Sequence, residues 1–348
     1  MSMLNKLKAS AISAGLVLLA ITGASAAQVP AELVPLYGKA KTAGAREVVV
    51  YTPYGNHDPL WKAFNEDFPE FSVNAVVITG APLATRLQAE KATGNHAGDI
   101  VIGNASATIA YKELGYLDAD TPPTVGTLPA RFKDPEGYFQ IPFTNLFTLI
   151  YNTRLVAEAD VPRTLDEILS DKWKGKFTYG RVRGTGATDT ALATLDYNGA
   201  LTPQQLRLIH DNSVESDGNG PAIQAVAQGR LPFDLWAPTQ SVVPLQKDGA
   251  PLGIRFLEDS SIVFGPGVAL LAGSPNRDAA KLLKAWLYTP RAQAIYAAAT
   301  NSYGTIPGTP LPAGLPSVDT YRFKDIPAAE ANTYLHNFQK KTQPIWEY

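Results

Sequence analysis

The 348-residue sequence predicts an α/β protein of two lobes, with a mostly parallel sheet in each and a two-strand hinge between them. Three observations predict it. Short apolar runs alternate with amphipathic segments from Glu47 onward. The alternation restarts after a long extended run over 147–152. A second extended run over 267–272 closes that block, so the chain leaves one lobe, builds another and returns. The expected division is a leader over 1–26, lobe one over 27–146 and 268–348, and lobe two over 147–267.

The leader comes first. Lys6 and Lys8 precede an apolar stretch over 9–22, and Ala24-Ser25-Ala26 supplies small residues for cleavage after Ala26. The stretch is shorter than the roughly 20 residues a bilayer crossing needs, and no later run reaches that length. Removing 26 residues leaves 322, enough for two domains of roughly 150. The chain has no cysteine, so neither a lipidated N-terminal cysteine nor a disulfide is available. A soluble exported protein of this kind points to the periplasm. Without Lys6 and Lys8 the chain carries 28 basic against 32 acidic side chains, a net charge of −4. That balance argues against nucleic acid or an anionic membrane as partner.

The elements follow in order. Residues 47–51 form a continuous apolar run, as in a strand buried on both faces. Asp58-Pro59 reads as N-cap and first turn of a helix, with Leu60, Trp61, Phe64 and Phe68 at helical spacing and Pro69 as its stop. Residues 72–79 read as a strand, 82–91 as a helix, 98–102 as a strand and 105–114 as a helix ending at Gly115. In the second block, Thr164 and Glu167 have capping-box spacing, 177–180 reads as a strand and 188–197 as a helix. Thr202-Pro203 with Gln205 caps the next helix, and another runs from Pro221 to a stop at Gly229. Two helices over 277–288 and 290–300 precede a Pro-rich tail that wraps a lobe.

These residues resemble the family-1 extracellular solute-binding proteins of ABC importers. The resemblance is carried by Val48-Val-Val-Tyr-Thr52, Leu87-Gln-Ala-Glu-Lys91, Gly98-Asp-Ile-Val-Ile-Gly-Asn104 and Tyr151-Asn152-Thr153. It continues through Gly267-Val-Ala-Leu-Leu-Ala-Gly-Ser-Pro-Asn276 and Tyr288-Thr-Pro-Arg-Ala-Gln293. The match is most similar to the branch holding ferric-iron, thiamine, polyamine and phosphonate binders. It implies a periplasmic-binding-protein fold, a small-molecule solute captured by hinge closure, and delivery to an inner-membrane permease. It further implies a monomer with no cofactor.

The family places ligand contacts on loops after strands. Here these supply Thr52, Tyr54 and Asn56, then Gly80, then Asn104, with Thr144 at the start of the first crossing run. The second lobe offers Thr185, Gly186 and Ala187 within Arg183-Gly-Thr-Gly-Ala-Thr-Asp189. Glycines ahead of a helix N-terminus let backbone N–H groups approach an anion, which favours an anionic or phosphorylated organic solute. Trp236 and Thr239 complete the set; Trp236 either stacks on a flat ligand or cation, or packs in a lobe core.

A ferric-iron binder is the alternative. Iron binders of the branch carry adjacent tyrosines just after the stretch corresponding to 229–234. Residues 235–240 here read Leu-Trp-Ala-Pro-Thr-Gln, and the chain has no Tyr-Tyr pair. His57 holds a plausible metal-loop position, but no metal is expected. A periplasmic hydrolase is the last alternative and lacks signatures. Thiol catalysis needs a cysteine, there is no Gly-x-Ser-x-Gly elbow, and His57, His96, His210 and His336 show no zinc-site spacing.

Overall fold

The computed structural model describes residues 29–347, except 56, 183–186, 314, 316, 318–325 and 327. The leader therefore lies outside the described residues. In chain order, α1 (Val34–Ala43) precedes β1 (Glu47–Thr52), α2 (Asp58–Asp67), β2 (Ser72–Val77), α3 (Gly80–Thr93), β3 (Ile100–Gly103), α4 (Ala105–Glu113), β4 (Leu117–Asp118) and β5 (Phe139–Gln140). Next come β6 (Phe143–Asn152), α5 (Leu165–Ile168), β7 (Phe177–Thr178), α6 (Ala187–Tyr197), α7 (Pro203–Asn212) and α8 (Asn219–Ala227). They are followed by β8 (Phe233–Pro238), α9 (Thr239–Lys247), β9 (Leu252–Arg255) and β10 (Ile262–Phe264). The chain closes with β11 (Gly267–Leu271), α10 (Arg277–Trp286), α11 (Pro290–Thr300), β12 (Tyr303–Gly304) and α12 (Ala328–Trp346). No helix among the described residues is long and apolar enough to cross a membrane.

The first sheet runs β2-β1-β3-β11-β4, with β5 also on β11. Its central strands β1, β3 and β11 are covered on both faces, which is why they read as apolar runs. Val48, Val50, Ile100, Ile102, Val268 and Leu270 pack on one side with α2, α10 and α11 residues such as Phe64, Trp286 and Tyr296. Tyr51, Val101, Ala269 and Leu271 pack on the other with Leu83, Leu87 and Ile109. The period of two along each strand sorts alternate residues into these two cores. The second sheet runs β10-β6-β8-β7, with β9 and β12 also on β6. Phe147, Leu149, Phe233 and Leu235 share a core with Leu192, Leu206 and Ile209. Ile150 and Ala237 share the opposite one with Ile223, Val226 and Val242.

The strand directions correct one expectation. Among the described strands, only β1–β2, β1–β3 and β7–β8 pair in parallel. β11 enters the first sheet antiparallel to β3, β4 and β5, and β6 is antiparallel to β8, β9, β10 and β12. Both sheets are mixed, because a strand that arrives by crossing from the other sheet is not held to the right-handed βαβ geometry that makes neighbours parallel.

The crossings also differ from the expected hinge strands. Residues 147–152 lie within β6 of the second sheet, and 267–271 form β11 of the first. The chain changes sheets at Ile141-Pro142 and at Gly265-Pro266, and a third time after α11, where β12 pairs with β6. The first two segments press together: a Cβ on Gly265 would stand 2.0 Å from the Phe143 carbonyl oxygen and 2.6 Å from Ile141 Cγ2. Only glycine fits there.

Two local expectations also change. Asp58 is the first helical residue of α2 rather than its cap, a position His57 takes without a side-chain bond. The tail was grouped with the first sheet, yet Phe338 of α12 is buried in the core beside β7 and β8. Thr202 and Gln205 form the full capping box, and the Thr164 hydroxyl accepts the Glu167 N–H.

Candidate functional site

Helices start directly beyond several strand ends of both sheets. In the first sheet, Thr52 ends β1, buried, and its hydroxyl accepts the Tyr54 N–H at 3.2 Å. Gly80 opens α3 with φ +61°, a left-handed value that suits glycine. Asn104 caps α4, its Oδ1 accepting the Ala107 N–H at 2.8 Å, which leaves its amide NH2 for other partners. In the second sheet, Ala187 opens α6 and Thr239 opens α9. Asn56, Thr185 and Gly186 lie outside the described residues.

The two sets of strand ends meet. Tyr54, beyond β1, stacks on His57, which meets Tyr296 of α11 edge-on, and Gln240 lies in the first turn of α9, beyond β8. The Tyr296 hydroxyl of α11 stands 3.3 Å from Gln240 Oε1 and 3.4 Å from Asn145 Oδ1. The Ser302 hydroxyl donates to the same Asn145 oxygen at 2.7 Å. Asn145 follows Thr144, which is buried with its hydroxyl unpartnered among the described residues. Asn145 and Gln240, the neighbours of Thr144 and Thr239, thus share one junction with Tyr54 through Tyr296 and His57.

His57 sits at this junction inside aromatic rings. It stacks on Tyr54 at 4.7 Å and meets Phe143, Tyr296 and Trp61 edge-on at 5.7, 5.2 and 5.8 Å. It is 1% exposed, and neither ring nitrogen has a hydrogen-bond partner among the described residues. Burial pushes its pKa down to about 3, so the imidazole is neutral. Burial likewise raises Tyr54 to about 12.

Trp236 lies in the second core. It is 0% exposed, and its indole N–H donates to the Ser260 carbonyl at 2.8 Å. Its φ of +62° is rare for a bulky residue. The β6–β8 register shifts between Thr148 and Ile150, so Leu149 faces both Leu235 and Trp236. The bulge explains why these consecutive residues enter one core instead of alternating. Two residues away, Asp234 is 1% exposed, and neither carboxylate oxygen has a partner among the described residues. Burial raises its pKa well above the ordinary carboxylate range, so it holds its proton. Thr178, its register partner on β7, is also buried, its hydroxyl without a partner among the described residues.

Sequence reasoning missed Gln240, Asn145, Tyr296 and Ser302, and weighed Asp234 only as a partner of Asp189 in an acid pair. The first four come from a helix turn, a strand and a terminal segment that meet only in three dimensions. Asp234 carried a legible signal, a carboxylate within the apolar run Phe233-Asp-Leu-Trp236. Among the described residues no group of three His, Cys, Asp or Glu gathers to hold a metal ion.

The layout, two mixed sheets wrapped by helices and joined by paired crossings, is that of a two-lobe binding protein. Residues 60–319 match the profile of a family described as bacterial extracellular solute-binding protein, and the chain belongs to that family. It is 26% identical over 278 residues to a probable ABC transporter periplasmic-binding protein, y4fP, of Sinorhizobium fredii, covering 76% of this chain and 75% of that one. It is 26% identical over 295 residues to Iron uptake protein A2 of a Synechocystis species, covering 78% of this chain and 81% of that one. The periplasmic binding protein AfuA of Actinobacillus pleuropneumoniae, solved with fructose-6-phosphate bound, superposes with a TM-score of 0.70 at 17% identity, covering 86% of this chain and 99% of that one. The last comparison bears out the two-lobe fold.

Proposed function

We propose that this protein is the periplasmic solute-capturing component of an ABC importer, closing two lobes on a small anionic or phosphorylated organic solute. The observation that carries this is the junction itself: Tyr54 and His57 beyond β1 pack on Tyr296, whose hydroxyl stands 3.3 Å from Gln240 beyond β8, so the strand ends of the two sheets face one another. Ligands in open α/β sheets sit beyond the carboxyl ends of strands. With two such sheets, a ligand between them is enclosed when the lobes turn about 141–142 and 265–266. The moving bodies are the first sheet with the chain before 141 and β11, α10 and α11 of the return, and the second sheet with 143–264, on which β12 pairs.

The helix starts at Gly80, Asn104, Ala187 and Thr239 supply backbone donors for an anion. His57 at the junction adds no charge, since it is neutral. Ferric iron is the second reading, favoured by the relative named for iron uptake. Against it, Trp236 and Ala237 stand where the adjacent tyrosines of iron binders are expected, and Trp236 is turned into a core. The protein acts as a monomer and passes its solute to a permease.

A thermal-shift screen tests the function. Sugar phosphates, phosphonates, carboxylates, amines, thiamine and ferric citrate are the probes. A true solute at a thousandfold excess over its Kd stabilises the protein by about 4 kcal/mol. The expected hit is a phosphorylated or carboxylated compound that also compacts the protein in small-angle scattering. A hit confined to ferric citrate selects the iron reading. A saturating hit with no compaction overturns lobe closure.

A further inference from the structure

The terminal helix α12 touches both halves of the molecule. It lies against α4 of the first sheet and against α6 and α7 of the second. On the second half its grip is specific. The Tyr334 hydroxyl donates to Asp196 Oδ2 at 2.7 Å, and the Lys341 ammonium pairs with the other oxygen of the same carboxylate. Tyr334 also stands edge-on to Tyr197 at 5.1 Å. The Trp346 indole N–H donates to the Tyr179 hydroxyl at 2.7 Å, and Phe338 is buried in the core between these points.

The elements held in this way are those that carry the site. Asp196 lies in the last turn of α6, which begins at Ala187. Tyr179 follows β7 and lies 6.4 Å from the Trp236 ring. α4, on the opposite half, begins at Asn104. A helix of 19 residues is about 28 Å long, enough to lie on both halves at once. The crossings at 141–142 and 265–266 are short and adjacent, so they set an axis of rotation without limiting its extent.

We propose that α12 is a clamp across the two halves that limits how far they swing apart in the unliganded protein. It rests on the hinge reading above. The clamp narrows the open ensemble, so a solute held by one half meets the other after a smaller movement.

The absence of cysteine makes the test direct. Gln88→Cys on α3 and Gln224→Cys on α8 place spin labels at exposed positions on opposite halves. Pulsed dipolar spectroscopy without ligand then compares the labelled full chain, the same chain with D196A and W346F, and one ending at Ile326. D196A with W346F keeps the apolar packing of Phe338, so it carries the test if the shortened chain fails to fold. The expected result is a distance distribution about twofold wider, with longer distances populated, once the clamp is released. Superimposable distributions overturn the clamp. If they are all broad, the halves swing freely and the hinge reading stands; if they are all narrow, the hinge reading falls as well.

Discussion

Two buried aspartates, Asp99 beside the first sheet and Asp234 in the second, are treated oppositely. Asp99, just before β3, accepts four hydrogen bonds: Val49 N–H at 2.8 Å, Ser274 hydroxyl at 2.7 Å, and Asn276 backbone and side-chain N–H at 2.9 and 3.1 Å. It ties β1 to the start of α10, across 177 residues of sequence to Asn276. Asp234 on β8 has no partner among the described residues and keeps its proton. A buried carboxylate with four donors cements a fold, whereas one without donors is a cost the fold tolerates. The first sheet is built for permanence at this point, and the second leaves Asp234 and Thr178 without partners among the described residues.

The largest expected break of this comparison is Asp99→Ala. It strands two backbone N–H groups and two side-chain donors, and urea unfolding should register a loss of about 4 kcal/mol. Asp234→Asn should do the reverse. Because the folded pKa lies above the unfolded one, the native state holds an extra proton, and stability falls as pH rises from about 4 through the folded pKa, by up to about 1.4 kcal/mol per pH unit. The amide removes that slope, so thermal midpoints of variant and parent should diverge in the variant's favour toward pH 8; parallel curves would show Asp234 to be charged and paired.

His57 supplies the opposite sign at the junction. Its folded pKa of about 3 lies below the unfolded value, so its contribution is complete above about pH 6.5 and is lost as pH falls toward 3. At pH 5 the expected loss is about 2 kcal/mol, and His57→Phe should abolish it in acid melts followed by tryptophan fluorescence. The smallest effect belongs to Thr178→Val. Its hydroxyl is buried and unpartnered among the described residues, so removal should change stability by less than about 1 kcal/mol. A larger loss would mean that an ordered water joins Thr178 to Asp234.

Much of the fold was legible because the signals are local. The apolar run over 47–51 became β1, Pro290 and Thr300 bound a helix as read, and the Thr202 capping box closed as its spacing demanded. The strand-end loops around Thr52, Gly80 and Asn104 were placed because strand and helix periods differ in sequence. Trp236 was not settled, since its fate depends on a bulge against β6 about 90 residues earlier, which no local pattern records. The junction was hidden for the same reason: Tyr54, Asn145, Gln240, Tyr296 and Ser302 are ordinary residues until packing gathers them.

The sequence by itself determined the periodic elements, their order and the return of the chain to its first sheet, because propensity, capping and apolar spacing act over a few residues. Only the tertiary structure decided strand direction at the crossings, the glycine pinch at Gly265, the neutral His57 and the bare Asp234. Those depend on desolvation and contact between segments far apart in the chain, and the free energy of burial exists only once both segments are in place.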